Sequence, residues 1–316
     1  MTTTSYSELL KKGVERRRVS RKGTNGFMLT LTGALTVLAL IPLFWIIGYV
    51  FYKGGSTLNL AFFTQLPKPV GMTGGGVLHA IEGSLIVTFL ATIMAFIPGV
   101  LAAFYAARNP NTVLGIGLRF STDVLSGVPS IVVGLFAYAL IVKPQGHYSA
   151  LAGGVALAIL MVPTIIRTTE EMLKLVPTNL REASLALGAP EWKTSISVLL
   201  PAAMDGVITG VLLAIARAAG ETAPLLFTTL GNERFDLGTI ISSGVTNHQS
   251  IIQILGRIFS SPIDSLPLTL WKYAGMPYPE RVQQAWGVAL ILLILVLATN
   301  ILARVWIEIR KRKLRG

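Results

Sequence analysis

The stretch VPTNLREASLALGAPEWKTSISVLLP, residues 176–201, lies between two long apolar runs, and the second of these runs carries ARAAGETAPLL at 216–226. A polar segment held between apolar runs reads as a loop outside a bilayer. A charged pair inside such a run is costly, at about 2.5–3.5 kcal/mol per residue on insertion scales. The two features together point to a membrane protein that docks on something in the cytosol and handles charge within its spans.

Working outward, the 316 residues are 52% hydrophobic and only 13% charged, whereas soluble domains carry about 25% charge. The pattern gives an all-α membrane protein with six transmembrane helices at about 27–51, 83–107, 124–142, 149–166, 202–230 and 285–303. Each is near the roughly 20 residues that cross the hydrocarbon, and helices satisfy the backbone within each span. Residues 1–26 form a basic tail followed by 25 apolar residues, longer than the roughly 7–15 of a cleavable signal. The domain organisation is thus a tail at 1–26, a six-helix membrane domain at 27–306 and a basic tail at 307–316. With the N-terminus inside, nineteen of the 27 Lys and Arg fall on the inner side and seven on the outer. That bias puts both termini in the cytosol. The net charge of +12 therefore reports orientation and not a nucleic-acid partner, because the basic residues flank spans instead of forming one face.

There is no Cys, and the three His at 79, 147 and 248 have no metal-ligand spacing, so no metal site is expected. No Walker-type phosphate loop occurs, so an energy source must come from a partner. No Ser/His/Asp or Cys/His set suggests an enzyme. Outside, the segments 52–82 and 231–284 are long. Gly74–Gly76, with no adjacent Lys, reads as an elbow before the second span. In 249–259, Ile251, Ile252, Ile254, Leu255, Ile258 and Phe259 form one helical stripe, suited to an interface or a docking surface. Pro129 is expected to kink the third span, and Asp205 and Glu82 lie near span ends.

In the loop at 177–201, Asn179 can cap a helix, with Glu182 at its third position reaching back. Gly188 suits a left-handed stop, and Pro190 the first position of a second helix. Ala183, Ser184 and Ala186 keep one surface small. Taken singly, each residue fits a plain connector. Taken whole, Glu182-Ala183-Ser184, three residues, Gly188, nine residues, Val198, Leu199, Leu200 and Pro201 resembles the Glu-Ala-Ala loop of ABC importer permeases. It departs only at Ser184 and Val198. The resemblance implies a type I importer architecture in which 177–201 is a cytosolic coupling helix. Glu182, Ala183, Ser184, Gly188 and Pro190 would then form the contact with an ATPase.

In the fifth span, Arg217 and Glu221 are four residues apart on one helical face. They read either as a self-neutralising packing pair or as part of an anion path. Arg offers a planar fork for oxyanions. Glu221 beside it suits an anion that still carries a proton, as hydrogen phosphate does and sulfate does not. Beyond this pair, GETAPLLFTTLGN at 220–232, LSGVPSIVVGLFAYALIV at 125–142, GMTGGGVLHAIEGS at 71–84 and SLPLTLWKYA at 265–274 are similar to PstA-type permeases of phosphate ABC importers. Ala223-Pro224 stands where PstC-type sisters usually have Met. The resemblance implies phosphate translocation across the cytoplasmic (inner) membrane, with Arg217, Glu221 and Thr222 as path residues. It implies a PstC-like sister permease, a dimeric PstB-like ATPase that binds ATP and magnesium, and a PstS-like phosphate-binding protein, with no cofactor in this chain. The alternatives are a permease for sulfate or molybdate, and a secondary transporter without an ATPase. The latter would leave the cytosolic loop idle and should show matched inverted halves, which are not evident.

Overall fold

The computed structural model describes the backbone of residues 3–72 and 74–315, and side chains within 21–309 apart from 73, 303, 306 and 307. The basic side chains of Lys11 to Arg18 and of Arg310 to Arg315, which carry most of the tail charge, lie outside the described side chains. The chain divides into two compact units, 1–52 and 53–316. Thirteen helices are used below, in chain order.

Helix α1, Thr3–Gly55, supplies nearly all of the first unit. Its segment 21–55 is long and apolar enough to cross a membrane, and Phe27, Leu38 and Trp45 along it are exposed. An apolar helix with no polar face suits contact with lipid.

The second unit is built on α3 (Leu78–Arg108) and α6 (Ala150–Lys174), its most extensively paired helices. Small residues allow the approach: Ala91, Ala95, Ala103, Ala152 and Ala156 are wholly buried. A Cβ on Gly99 would fall 2.8 Å from Ile165 Cγ2, so a larger residue there would force the pair apart. Val87, Leu157, Met161, Ile165 and Val207 complete the core. Ser149 starts α6 by accepting from the Ala152 amide at 3.1 Å.

Among the described residues, five helices are long and apolar enough to cross a membrane, and a bent pair makes a sixth candidate. That pair is α4 (Val113–Gly127) and α5 (Ser130–Gln145), which meet at 103°. The expected third span at 124–142 is thus broken, not kinked. Pro129 lacks an amide hydrogen and disfavours helical geometry at Val128, whose ψ is 129°, so the helix stops and restarts.

The segment expected as a fifth span at 202–230 also differs. Helix α8 runs Glu191–Ala218, so it begins inside the polar segment and stops early. The second helix of the loop is therefore continuous with the span, through a π-helical turn at Ser195–Leu199, and is not a separate surface helix. Asp205 accordingly lies midway along α8 and not at a span end. After Ala218 the chain turns and forms the short α9, Ala223–Thr228. The last long helix, α13 (Pro279–Arg315), includes the expected sixth span.

Outside these helices, α2 (Leu60–Thr64) precedes the glycine run. Gly74–Gly76 is folded back on 66–68, with Gly76 N–H donating to Leu66 O at 3.2 Å and Pro67 bridging Gly75. Lys68 Nζ lies 3.3 Å from where a Cβ of Gly74 would be, so tertiary structure brings in the lysine that the adjacent sequence lacks. Glu82 serves as a cap: it accepts from the Leu237 amide at 2.9 Å, at the start of α10 (Leu237–Thr246). Helix α11, Ile251–Ser260, has a complete capping box between Ser250 and Gln253. Ile254 and Phe259 pack on the core and Ile258 is buried, while Ile251 and Ile252 are exposed. Helix α12, Leu266–Ala274, packs against α13.

Candidate functional site

The charged pair sits where α8 ends. Ala219 closes the helix through Ile215 O, and the amides of Gly220 and Glu221 donate to Arg217 O and Ala218 O, each at 3.1 Å. This is a tightened last turn that satisfies carbonyls no longer paired in the helix. Thr222 then flanks α9 with no side-chain cap, and Pro224 is placed near its start. Arg217 and Glu221 are therefore not on one continuous helix. Their side chains still approach, with Nε to Oε1 at 3.8 Å, too long for a hydrogen bond. Arg217 is 56% exposed and Glu221 20%. The guanidinium is thus presented to its surroundings and not locked by its neighbour.

The break in α8–α9 faces the break in α4–α5. Helix α9 packs on α5, and a Cβ on Gly134 would fall 2.6 Å from Pro224 Cα. Only glycine permits that approach. Gly134 is one turn into α5 and Pro224 is the second residue of α9, so both interruptions lie within about a turn, roughly 6 Å, of one packing point. Discontinuous helices of this kind bring unpaired backbone groups into a polar site away from lipid.

The segment expected to dock is built on α7, Thr178–Ala186. The expected cap is not present: Pro177 precedes the helix with no side-chain cap, and Asn179 is already inside it. Pro177, with φ fixed by its ring, takes the cap position, so the helix starts two residues earlier than expected. Gly188 has φ +80°, the left-handed stop that its position called for. Its amide donates to Leu185 O and that of Ala189 to Ser184 O. Pro190 flanks α8 immediately before its first residue. No residue of α7 is buried, and Glu182 and Ala183 face outward. Glu182 makes no ion pair among the described residues. The segment is braced from behind: Ser184 Oγ lies 2.9 Å from Thr194 Oγ1, and Arg181 Nη2 donates to Glu191 Oε1 at 2.9 Å. Glu191 also pairs with Arg108 at the end of α3, whose Nη1 donates to Ser195 Oγ at 2.9 Å. Movement of α7 is therefore tied to the ends of α3 and α8.

Two clusters were not visible in the sequence. Buried Asp264 accepts from Lys272 Nζ and lies 3.7 Å from His79 Nε2, with neither ring nitrogen of His79 hydrogen bonded among the described residues. Glu170, also buried, joins Arg119 (Nε at 2.7 Å) and Lys174 (Nζ at 2.6 Å). His79 and Arg119 reach these clusters from distant segments; Asp264 and Lys272 are eight residues apart, and Glu170 and Lys174 are at i,i+4, the one spacing that signals a pair on a helix.

Apolar helices interrupted at a charged pair, with an outward helix–glycine–helix segment, define a polytopic membrane transport component. Residues 99–316 match the family model of the binding-protein-dependent transport system inner membrane component, and the chain belongs to that family. It is 40% identical over 297 residues to the phosphate transport system permease protein PstA of Yersinia pestis, covering 94% of both chains. It is 37% identical to the PstA protein of Haemophilus influenzae over 92% of this chain and 96% of the relative. Within the family, it is with the PstA permeases that it groups. A chain of the MetNI methionine ABC transporter in an inward-facing conformation aligns with a TM-score of 0.54 at 18% identity, covering 73% of this chain and 94% of that one. That likeness concerns the fold, which is of the type I importer kind.

Proposed function

We propose that this chain is the permease subunit of an ATP-driven importer that carries inorganic phosphate across the cytoplasmic membrane. The observation that carries this reading is the near full-length match to PstA permeases. The chain is a membrane transport subunit and not itself an enzyme, and its family implies a sister permease and an ATPase. The finer reading is a PstC-like sister, a dimeric PstB-like ATPase that holds ATP and magnesium, and a PstS-like donor of phosphate outside. Both termini face the cytosol in this reading, in accord with the bias of basic residues.

The proposed path residues are Arg217, Glu221 and Thr222. An exposed guanidinium at a helix break can donate to two phosphate oxygens in a bidentate way. Glu221, close but not bonded, can accept the proton of hydrogen phosphate and limit how tightly the anion is held. Sulfate brings no such proton, so the geometry favours phosphate over it. The proposed coupling surface is Glu182, Ala183, Ser184, Gly188 and Pro190. Closure of the ATPase would press on α7, and the Arg181–Glu191–Arg108 contacts would pass that movement to α3 and α8. No step requires a cofactor bound to this chain.

The test is uptake of labelled phosphate by cells lacking the chain and complemented with it, with excess sulfate or molybdate as competitor. Restored uptake that ignores both is expected. Strong competition by either would remove the substrate assignment. Glu182→Ala is expected to lower transport per ATP hydrolysed, and full coupling in that variant would overturn the docking role.

A further inference from the structure

We propose that an anionic phospholipid of the inner leaflet binds where α3, α6, α7 and α8 meet, with its phosphate among Arg108, Lys174 and Arg181 and an acyl chain along α3 and α8. This rests on the reading above that 176–201 faces the cytosol. Two adjoining hollows carry the inference. One, of about 250 Å³, is lined by Arg108, Lys174 and Arg181 together with Phe104, Pro177 and Thr178, and no carboxylate lines it. The other, of about 310 Å³, is almost wholly apolar and runs past Val100, Leu101, Phe104, Ile196 and Leu200, with Trp192 at its rim. Arg108 and Phe104 line both, so a cationic chamber opens onto an apolar groove.

The charges do not cancel. Arg108 and Arg181 share the single carboxylate of Glu191, and Lys174 and Arg119 share that of Glu170. The Glu191 cluster keeps one positive charge in excess, whereas the Glu170 cluster adjoins Arg167, which pairs with both Asp123 and Glu171, and is balanced by them. A phosphate diester in the chamber would be attracted by the excess charge at Arg108 and Arg181, with Lys174 beside it, and could accept from a guanidinium fork. The groove decides between the two sources of such a group. Free phosphate has no use for an apolar channel, whereas an acyl chain does. Leu101, Ile196 and Trp192 are 65%, 59% and 65% exposed, so the channel is open along its length. Trp at the mouth and Arg at the polar end match the depth order of a leaflet, with aromatic ring and cation at headgroup level and aliphatics below. Because Arg108 also holds Glu191, a bound headgroup would compete for the contact that braces α7.

The experiment uses the purified complex of this chain with its sister permease and ATPase, stripped of lipid and offered vesicles of phosphatidylglycerol or phosphatidylcholine. Lipid retained after gel filtration is read by native mass spectrometry. Preferential retention of phosphatidylglycerol is expected, and Lys174→Gln and Arg181→Gln should each lower it about fivefold. Ile196→Trp, which fills the groove without touching a charge, should lower it as well; a thermal melt of each complex checks folding. Equal retention of the two lipids, or no change in the folded variants, overturns the proposal. So does displacement of the lipid by excess inorganic phosphate with no effect of Ile196→Trp, which would assign the chamber to the free anion. Cross-linking of a Leu101→Cys variant to the sister permease would assign the groove to a subunit contact and overturn it too. Retention is measured without transport, so its loss leaves the phosphate reading standing, and failure of phosphate uptake leaves retention unaffected.

Discussion

Arg217–Glu221 and Lys272–Asp264 are both ion pairs between near neighbours in sequence, yet the fold treats them in opposite ways. Asp264 is buried, accepts from Lys272 at 2.7 Å and also takes the Ser265 amide at 2.8 Å. Arg217 is more than half exposed and stands 3.8 Å from Glu221 at the end of a helix. A buried, saturated pair cannot exchange partners without leaving a desolvated charge behind. A slack, exposed pair can. The contrast separates a charge that holds the 231–284 segment together from one that can change partners, as the proposed anion path requires.

The comparison is most sharply tested at the tight pair. Asp264→Ala should destabilise the detergent-solubilised complex by about 3–5 kcal/mol, because Lys272 loses its partner in a largely buried place. A melting temperature unchanged from wild type would mean that the buried pair does not hold the segment. A smaller effect is expected where the helices that follow the two breaks, α5 and α9, pack on each other. Gly134→Ala should cost about 1–3 kcal/mol by overpacking against Pro224 and should reduce phosphate uptake. An unaffected variant would show that the breaks need not adjoin.

Smallest is the cap of α10. Thr239 donates to Asp236 Oδ2 at 2.6 Å from its hydroxyl, and its amide donates to Oδ1, which holds the carboxyl below its ordinary value of 3.8. Asp236→Ala should lose about 1 kcal/mol at neutral pH. The sign follows from linkage: a depressed folded value stabilises above the unfolded value and fades as pH falls through the folded one. The difference between wild type and variant should therefore shrink only in strong acid. A difference that grew on acidification would rule out the capping carboxylate as its source.

Much of the 176–201 segment was legible because its signals are local. Gly188 announces a left-handed stop, and the apolar runs on either side announce spans. The end of α8 was misplaced because Leu225 and its apolar neighbours continue the hydrophobic run, and hydropathy does not register a bend. Gly220 followed by Pro224 was the signal that could have located it, as Gly127 and Pro129 could have located the break between α4 and α5. Partnerships such as Glu82 with Leu237 or His79 with Asp264 bridge more than 150 residues, and nothing in local spacing encodes them. The slackness of Arg217 likewise depends on packing around α9, which one chain's pattern does not contain.

The most direct test of the contrast is Arg217→Ala in the reconstituted complex, with phosphate uptake, ATP hydrolysis and melting temperature measured on the same preparation. The account predicts that uptake is lost while assembly and ATP hydrolysis persist and stability changes by no more than about 1 kcal/mol, as for an exposed pair. Normal uptake, or a complex that no longer assembles, would contradict it.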